Sequence, residues 1–223
     1  MRKNLIALLM FFASAGLSAQ QSAMARRMAA QGMVDILTVD STIQVSLMYS
    51  RPDNFTGRVL YTDLREAYLH PKAAVALTAA QKALRKLRPE LSLKVYDATR
   101  PMSVQQKMWN TVVGTKQQNY VSNPRNGGGM HNYGLAVDVT LCFAATGDTL
   151  DMGTKVDFLG PYAHIDNEAS LVERNIISPE AKRNRELLRK VMTEAGFKPL
   201  KSEWWHFNLV SRAEAKAHYK AIK

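Results

Sequence analysis

An alternation near the middle of the chain limits its folding options more than any other feature. Along Leu135–Leu141, the side chains of Leu135, Val137, Val139 and Leu141 fall on one face of an extended strand, and those of Ala136, Asp138 and Thr140 on the other. An apolar strand face requires a second layer packed against it, so the chain must build a sheet with a covered side. The opposite face carries a carboxylate, Asp138, beside a small alanine that leaves room for a bound ion.

Other segments supply the remaining layers. Leu37–Asp40 and Ile43–Leu47 alternate as short strands do, and Arg51–Gly57 has turn chemistry. Pro71–Arg88 reads as an Ala-rich helix with Val75, Leu77, Ala80, Leu84 and Leu87 on one stripe. Leu91–Asp97 alternates as a strand, Arg100 and Pro101 punctuate it, and Val104–Val113 is helical in pattern. Asn119–Gly129 has the Asn, Ser, Pro and Gly content of a mobile surface loop. Ser178 caps a helix with Pro179 in its first turn, continuing to Ala195 and stopped by Gly196, and a final strand covers Glu203–Leu209. With no repeat and no long linker, the expectation is one α+β domain, a small mixed or antiparallel sheet flanked by helices.

The N-terminus has the pattern of a secretory signal. Arg2 and Lys3 precede an apolar run, Leu5–Ser14, and Leu17-Ser18-Ala19 offers a small-residue cleavage site. The expected signal is residues 1–19, with a later alternative after Ala25, and the expected mature domain is 26–223. The run is too short to span a bilayer comfortably, so no stable membrane insertion is expected once it is removed. Export to the periplasm or beyond follows from this reading.

The mature chain is long enough for a sizeable core without crosslinks. Cys142 is the sole cysteine, so no intrachain disulfide is possible, and its setting between Leu141 and Phe143 suits an inert buried thiol. The net charge is +11, but Lys and Arg are scattered as on solvated helix faces. Nucleic acid is therefore not an expected partner, and the charge suits an anionic envelope better. The oligomeric state stays open.

Chemistry concentrates at His131, Asp138, Glu203 and His206. Two imidazoles and one carboxylate suit a catalytic zinc, which keeps one coordination position open. A second carboxylate beside it is the usual general base. His131 follows a Gly-rich loop, and Glu203 and His206 flank Trp204 and Trp205, a poor place for charge without a partner. Spacing alone leaves two readings open, a metal centre with its base or a hydrogen-bonded buried polar network. His70, His164 and His218 have no evident ligand partner.

The pattern His131-x-x-Gly134-x-Ala136-x-Asp138, followed by Glu203-x-Trp205-His206, resembles that of the zinc D-alanyl-D-alanine dipeptidases, the group that includes the vancomycin-resistance dipeptidase. The segments Tyr49–Gly57, Tyr96–Pro101 and Thr146–Asp157 resemble family segments in the same order, so the likeness covers nearly the whole mature chain. It implies a single zinc ion held by His131, Asp138 and His206 in a cleft on the sheet, with Glu203 and Arg100 catalytic. It further implies that Asp157 and Tyr49 bind the substrate, a small D-alanyl-D-alanine dipeptide, through its free amine. Asp97 is either the group that orients Arg100 or a solvated strand-end residue. One departure stands out. Gly129 occupies a substrate-binding position where the family pattern has serine, which removes a hydroxyl and loosens the loop. The rival expectations are a D,D-carboxypeptidase or endopeptidase acting on peptidoglycan stem peptides, and a non-catalytic wall-binding module.

Overall fold

The computed structural model describes residues 21–223, and the signal read over residues 1–19 lies outside them. The helices are α1 (Ala23–Ala30), α2 (Ile36–Val39), α3 (Pro71–Leu87), α4 (Met102–Val112), α5 (Glu168–Glu173), α6 (Pro179–Glu194) and α7 (Arg212–His218). The strands are β1 (Val34–Asp35), β2 (Gln44–Val45), β3 (Tyr68–Leu69), β4 (Leu91–Asp97), β5 (Ala136–Phe143), β6 (Lys198–Leu200) and β7 (Glu203–Asn208). The main sheet has the order β2-β4-β5-β7-β6, parallel only between β2 and β4, and β1 and β3 form a separate antiparallel pair. This is the expected mixed-sheet α+β architecture. Among the described residues, no helix is long and apolar enough to cross a membrane.

The alternation has the expected consequence along Val137–Leu141, whereas Leu135 precedes β5 and packs in a separate cluster with Met130 and Tyr133. Val137, Val139 and Leu141 join Leu93 and Val95 of β4 and Phe207 of β7 in a single buried cluster, closed by Leu77 and Leu84 of α3 and Leu188 and Val191 of α6. The other side of β5 is buried as well, because loops cover it and leave a cleft over Asp138. A central strand sealed on both faces is held in register by side-chain shape on each side.

Three sequence expectations need correction. Leu37–Asp40 is not a strand. Asp35 caps the short helix α2, its carboxylate accepting the Leu37 N–H at 3.0 Å, and Leu37 and Val39 face solvent. A side-chain cap this close in sequence outcompetes a strand too short to find a partner. Ile43–Leu47 contributes only two paired residues, Gln44 and Val45, before the chain turns into the 3-10 helix Met48–Ser50. On α3, Val75 is 65% exposed and Leu87 49%, and the inward face is Ala73, Ala74, Leu77, Ala80, Gln81 and Leu84. Val75 lies about 200° around the helix from Leu77, and Leu87 is the last residue of α3. The other expected elements match, including β4, the capped helix from Ser178, the strand from Glu203, and solvated basic helix faces where Lys190 pairs with Glu194.

The loop 119–129 is built of 3-10 turns, Lys116–Tyr120 and Pro124–Asn126, with Val121 buried, and it forms one wall of the cleft. A further 3-10 turn, Met130–Tyr133, delivers the chain to β5 through Gly134. Gly134 has φ +67°, and a Cβ there would meet the Met33 sulfur at 2.5 Å and Thr99 Oγ1 at 2.9 Å. Only glycine fits so sharp a return with so little room.

Candidate active site

Asp138 and His206 sit directly opposite each other in the β5–β7 ladder, so pairing register alone brings a carboxylate against an imidazole. His131 enters from the 3-10 turn that precedes β5. Asp138 Oδ1 lies 3.0 Å from His206 Nδ1 and 3.3 Å from His131 Nε2, and the two ring nitrogens are 3.1 Å apart. All three side chains are buried.

The other nitrogen of each ring has its own partner. His131 Nδ1 is 2.7 Å from the Ala98 carbonyl and His206 Nε2 is 2.9 Å from Asn208 Oδ1, so each N–H donates outward. The inward nitrogens are left with lone pairs. With both rings neutral, three acceptors converge on one point with no donor among them, an arrangement that suits a cation. The three residues form the one group of potential metal ligands found among the described residues, with donor atoms all within 4.8 Å of one another. Outward hydrogen bonds that set the tautomer and ring orientation are what a metal site requires of its supporting residues. Burial opposes charge on His131 and Asp138. Their mutual attraction outweighs it, raising the His131 pKa and holding Asp138 below the usual carboxylate range.

Glu203 starts β7, with Oε2 4.0 Å from His206 Nδ1. Burial pushes its carboxyl up to about 7, with Asp138 adding repulsion while His206 pulls the other way. A carboxyl poised near neutrality can take up a proton and release it.

Arg100 is held rigidly on the other side. Its Nε and Nη2 donate to Asp97 Oδ2 at 2.9 and 2.5 Å, and its Nη1 donates to Gln105 Oε1 at 2.9 Å. Among the described residues, that leaves one N–H on each terminal nitrogen without a hydrogen-bond partner, and Nη2 lies 3.8 Å from Asp138 Oδ2. Asp97 is fully buried and also accepts the Tyr61 hydroxyl at 2.6 Å, so it orients Arg100, and the solvated alternative is ruled out. Burial works against the guanidinium charge, but Asp97, Tyr49, Tyr61 and Asp138 together more than offset it and Arg100 stays cationic.

Asp157 and Tyr49 line the same cleft. The Tyr49 hydroxyl donates to Asp157 Oδ1 at 2.9 Å, the Phe55 N–H donates to Oδ2 at 3.1 Å, and the Arg100 guanidinium lies 5.3 Å from the Tyr49 ring centre. Burial pushes Asp157 up to about 6, against the pull of those two hydrogen bonds. Asp157 also has φ +71°, a strained setting for a non-glycine residue that is tolerated where the side chain must be aimed.

Gly129 lines the cleft wall, and its backbone is firmly tied. Its N–H donates to Asn132 Oδ1 at 2.8 Å and its carbonyl accepts the Asn132 N–H at 3.1 Å. The expectation that this glycine loosens the loop is therefore not met. Cys142 is buried with its thiol pushed up to about 11 by burial, and it lies outside the cleft.

Sequence reasoning missed Tyr61, Gln105 and Asn208. Asn208 was within reach, because a residue two places along a strand from His206 shares its face. Nothing local marks Tyr61 or Gln105. The cleft that gathers these groups has a volume of about 360 Å³, suited to a small ligand.

This geometry gathers one set of potential metal ligands, a buried carboxyl raised towards neutrality, a fixed cation and a second carboxylate. The model of the family described as D-ala-D-ala dipeptidase, peptidase family M15, matches residues 29–223, and the chain belongs to that family of metallopeptidases. It is 34% identical to the D-alanyl-D-alanine dipeptidase of Escherichia coli, over 81% of this chain and 86% of that one. It is 35% identical to the enzyme of the same name from Enterococcus faecalis, over 36% of each chain. A solved LD-carboxypeptidase structure overlays with a TM-score of 0.35 at 20% identity, over 67% of this chain and 63% of that one, too remote to inform the site.

Proposed function

We propose that this chain is a zinc-dependent dipeptidase that hydrolyses D-alanyl-D-alanine to free amino acids, acting after export. The observation that carries the reading is the convergence of His131 Nε2, Asp138 Oδ1 and His206 Nδ1, with Glu203 at one side and Arg100 at the other. Two nitrogens and one oxygen are a zinc-type donor set. When bound there, zinc would acidify a water molecule and polarise an amide carbonyl.

Each protein group then has a task. Glu203 accepts the proton of the attacking water and delivers it to the leaving amine, which its value near 7 permits in both directions. The two unpaired N–H groups of Arg100 stabilise negative charge as it builds on the former carbonyl oxygen, and Asp97 and Gln105 keep them aimed. Asp157 and the Tyr49 hydroxyl receive the substrate ammonium. That contact favours a substrate with a free amino terminus, a dipeptide rather than a blocked stem peptide.

The N-terminal pattern supports export. Cleavage after Ala19 leaves α1 whole, with Ser22 Oγ accepting the Ala25 N–H at 3.0 Å and Ala25 and Met28 in the core, whereas cleavage after Ala25 would cut into the helix. Outside the cytoplasm the enzyme would recycle dipeptide released from cell-wall material.

Product analysis of the purified mature protein with D-Ala-D-Ala and its N-acetylated form tests the proposal. Turnover of the free dipeptide, abolished by a chelator and restored by zinc, is expected. Efficient cleavage of the acetylated form would reassign the protein as a D,D-carboxypeptidase.

A further inference from the structure

Gly129 has φ −109°, a backbone conformation open to any residue. A Cβ at this position would lie 2.8 Å from Ser122 Oγ and 3.2 Å from Ser122 Cβ, so a side chain here would push the serine hydroxyl aside. The glycine makes room for a hydroxyl that comes from the neighbouring turn. Ser122 and Gly129 both line the cleft, and the Ser122 hydroxyl makes no hydrogen bond among the described residues. Only its backbone carbonyl is engaged, accepting Gln105 Nε2 at 2.8 Å.

A run of contacts gives Ser122 a direction. Asp157 bonds to Tyr49, whose ring lies by the Arg100 guanidinium; Arg100 bonds to Gln105, and Gln105 to Ser122. Ser122 therefore stands at the opposite end of this run from the carboxylate that faces an ammonium. The basic side chain on its side is Arg212, which lines the same cleft and donates to the Asn126 carbonyl of the same loop at 2.9 Å. A free hydroxyl and a guanidinium lining one cleft suit an anion.

We propose that Ser122 is a specificity residue whose hydroxyl donates to the C-terminal carboxylate of the dipeptide, and that Gly129 is required because it vacates the space for that hydroxyl. The proposal rests on the dipeptidase reading and names which group binds the second end of its substrate. A hydrogen bond to a charged acceptor contributes on the order of tenfold in affinity or more.

The test measures binding and kinetics with D-Ala-D-Ala and with its C-terminal amide, binding being followed by calorimetry in a Glu203→Ala background. Ser122→Ala is expected to raise KM and Kd for the free carboxylate roughly tenfold with kcat and zinc content unchanged, and to leave the amide unaffected. Gly129→Ala is expected to cost the same, because its methyl displaces the hydroxyl. Combining it with Ser122→Gly should cost no more than either change alone. An equal penalty on the amide, no penalty at all, or losses that add would overturn the assignment. Failure of the unmodified protein to bind or cleave the dipeptide would instead overturn the dipeptidase reading.

Discussion

Glu203 and Asp157 are two carboxyl groups in one cleft, both raised by burial, and their neighbours give them different work. Glu203 stands against the ligand cluster, so its protonation change is available to the reaction. Glu203→Gln keeps the shape and removes the proton acceptor, and kcat should fall by roughly 10²–10⁴-fold while zinc content, read by elemental analysis, stays at one per chain. Asp157 is held by Tyr49 and the Phe55 N–H, away from the ligands, and its value near 6 makes it costly to the fold when charged. Its folded value exceeds the 3.8 of an ordinary aspartate, so its contribution to stability is full below about 3.8 and is lost as pH rises through about 6. Asp157→Asn should therefore stabilise the protein by about 1–2 kcal/mol at pH 8 and not at pH 3.5, measured by thermal melts. The same change should raise KM for the free dipeptide at least tenfold. A variant no more stable at pH 8 than the parent would refute the cost assigned to this buried charge.

At the scale of elements, the site depends on where β5, β7 and the turn before β5 deposit their side chains. The alternation in β5 and the strand from Glu203 were legible from the sequence because period-two patterning survives in any sheet. What stayed hidden was the pairing of Asp138 with His206, since register between strands distant in sequence has no local signal. Leu37–Asp40 misled for the reverse reason, as Asp35 capped the next residues into a helical turn. Tyr61 and Gln105 are local ciphers whose roles exist only once β4 and α4 are assembled around Arg100. Asn208 shares the His206 face and accepts its outward N–H, so Asn208→Ala should weaken zinc affinity about tenfold in a chelator competition titration. Gly134 bears the turn that carries His131 into β5. Gly134→Ala must meet the Met33 sulfur and Thr99 Oγ1 at φ +67°, and a loss of about 2–4 kcal/mol in denaturant unfolding is expected.

For the molecule as a whole, the proposed metal would be the one crosslink between its layers. Cys142 is the sole cysteine and lies buried, so no disulfide joins the layers. The three ligands come from the turn after the 119–129 loop, from β5 and from β7, and a bound ion ties the cleft wall to the sheet centre. Without it, the carboxylate and the two neutral rings would crowd three acceptors into a buried space, relieved only by taking up a proton in the ion's place. Under the proposed reading zinc binds the folded arrangement and has no equivalent site in the unfolded chain, so it would stabilise by mass action, about 4 kcal/mol at a thousandfold excess over Kd. Chelation should accordingly lower Tm by several degrees, adding back zinc should restore it, and a reducing agent should change nothing. His206→Ala should melt at the chelated temperature whether or not zinc is supplied. A melt indifferent to chelator in the unmodified protein would mean that the convergent side chains hold no metal, and the catalytic scheme would fall with them.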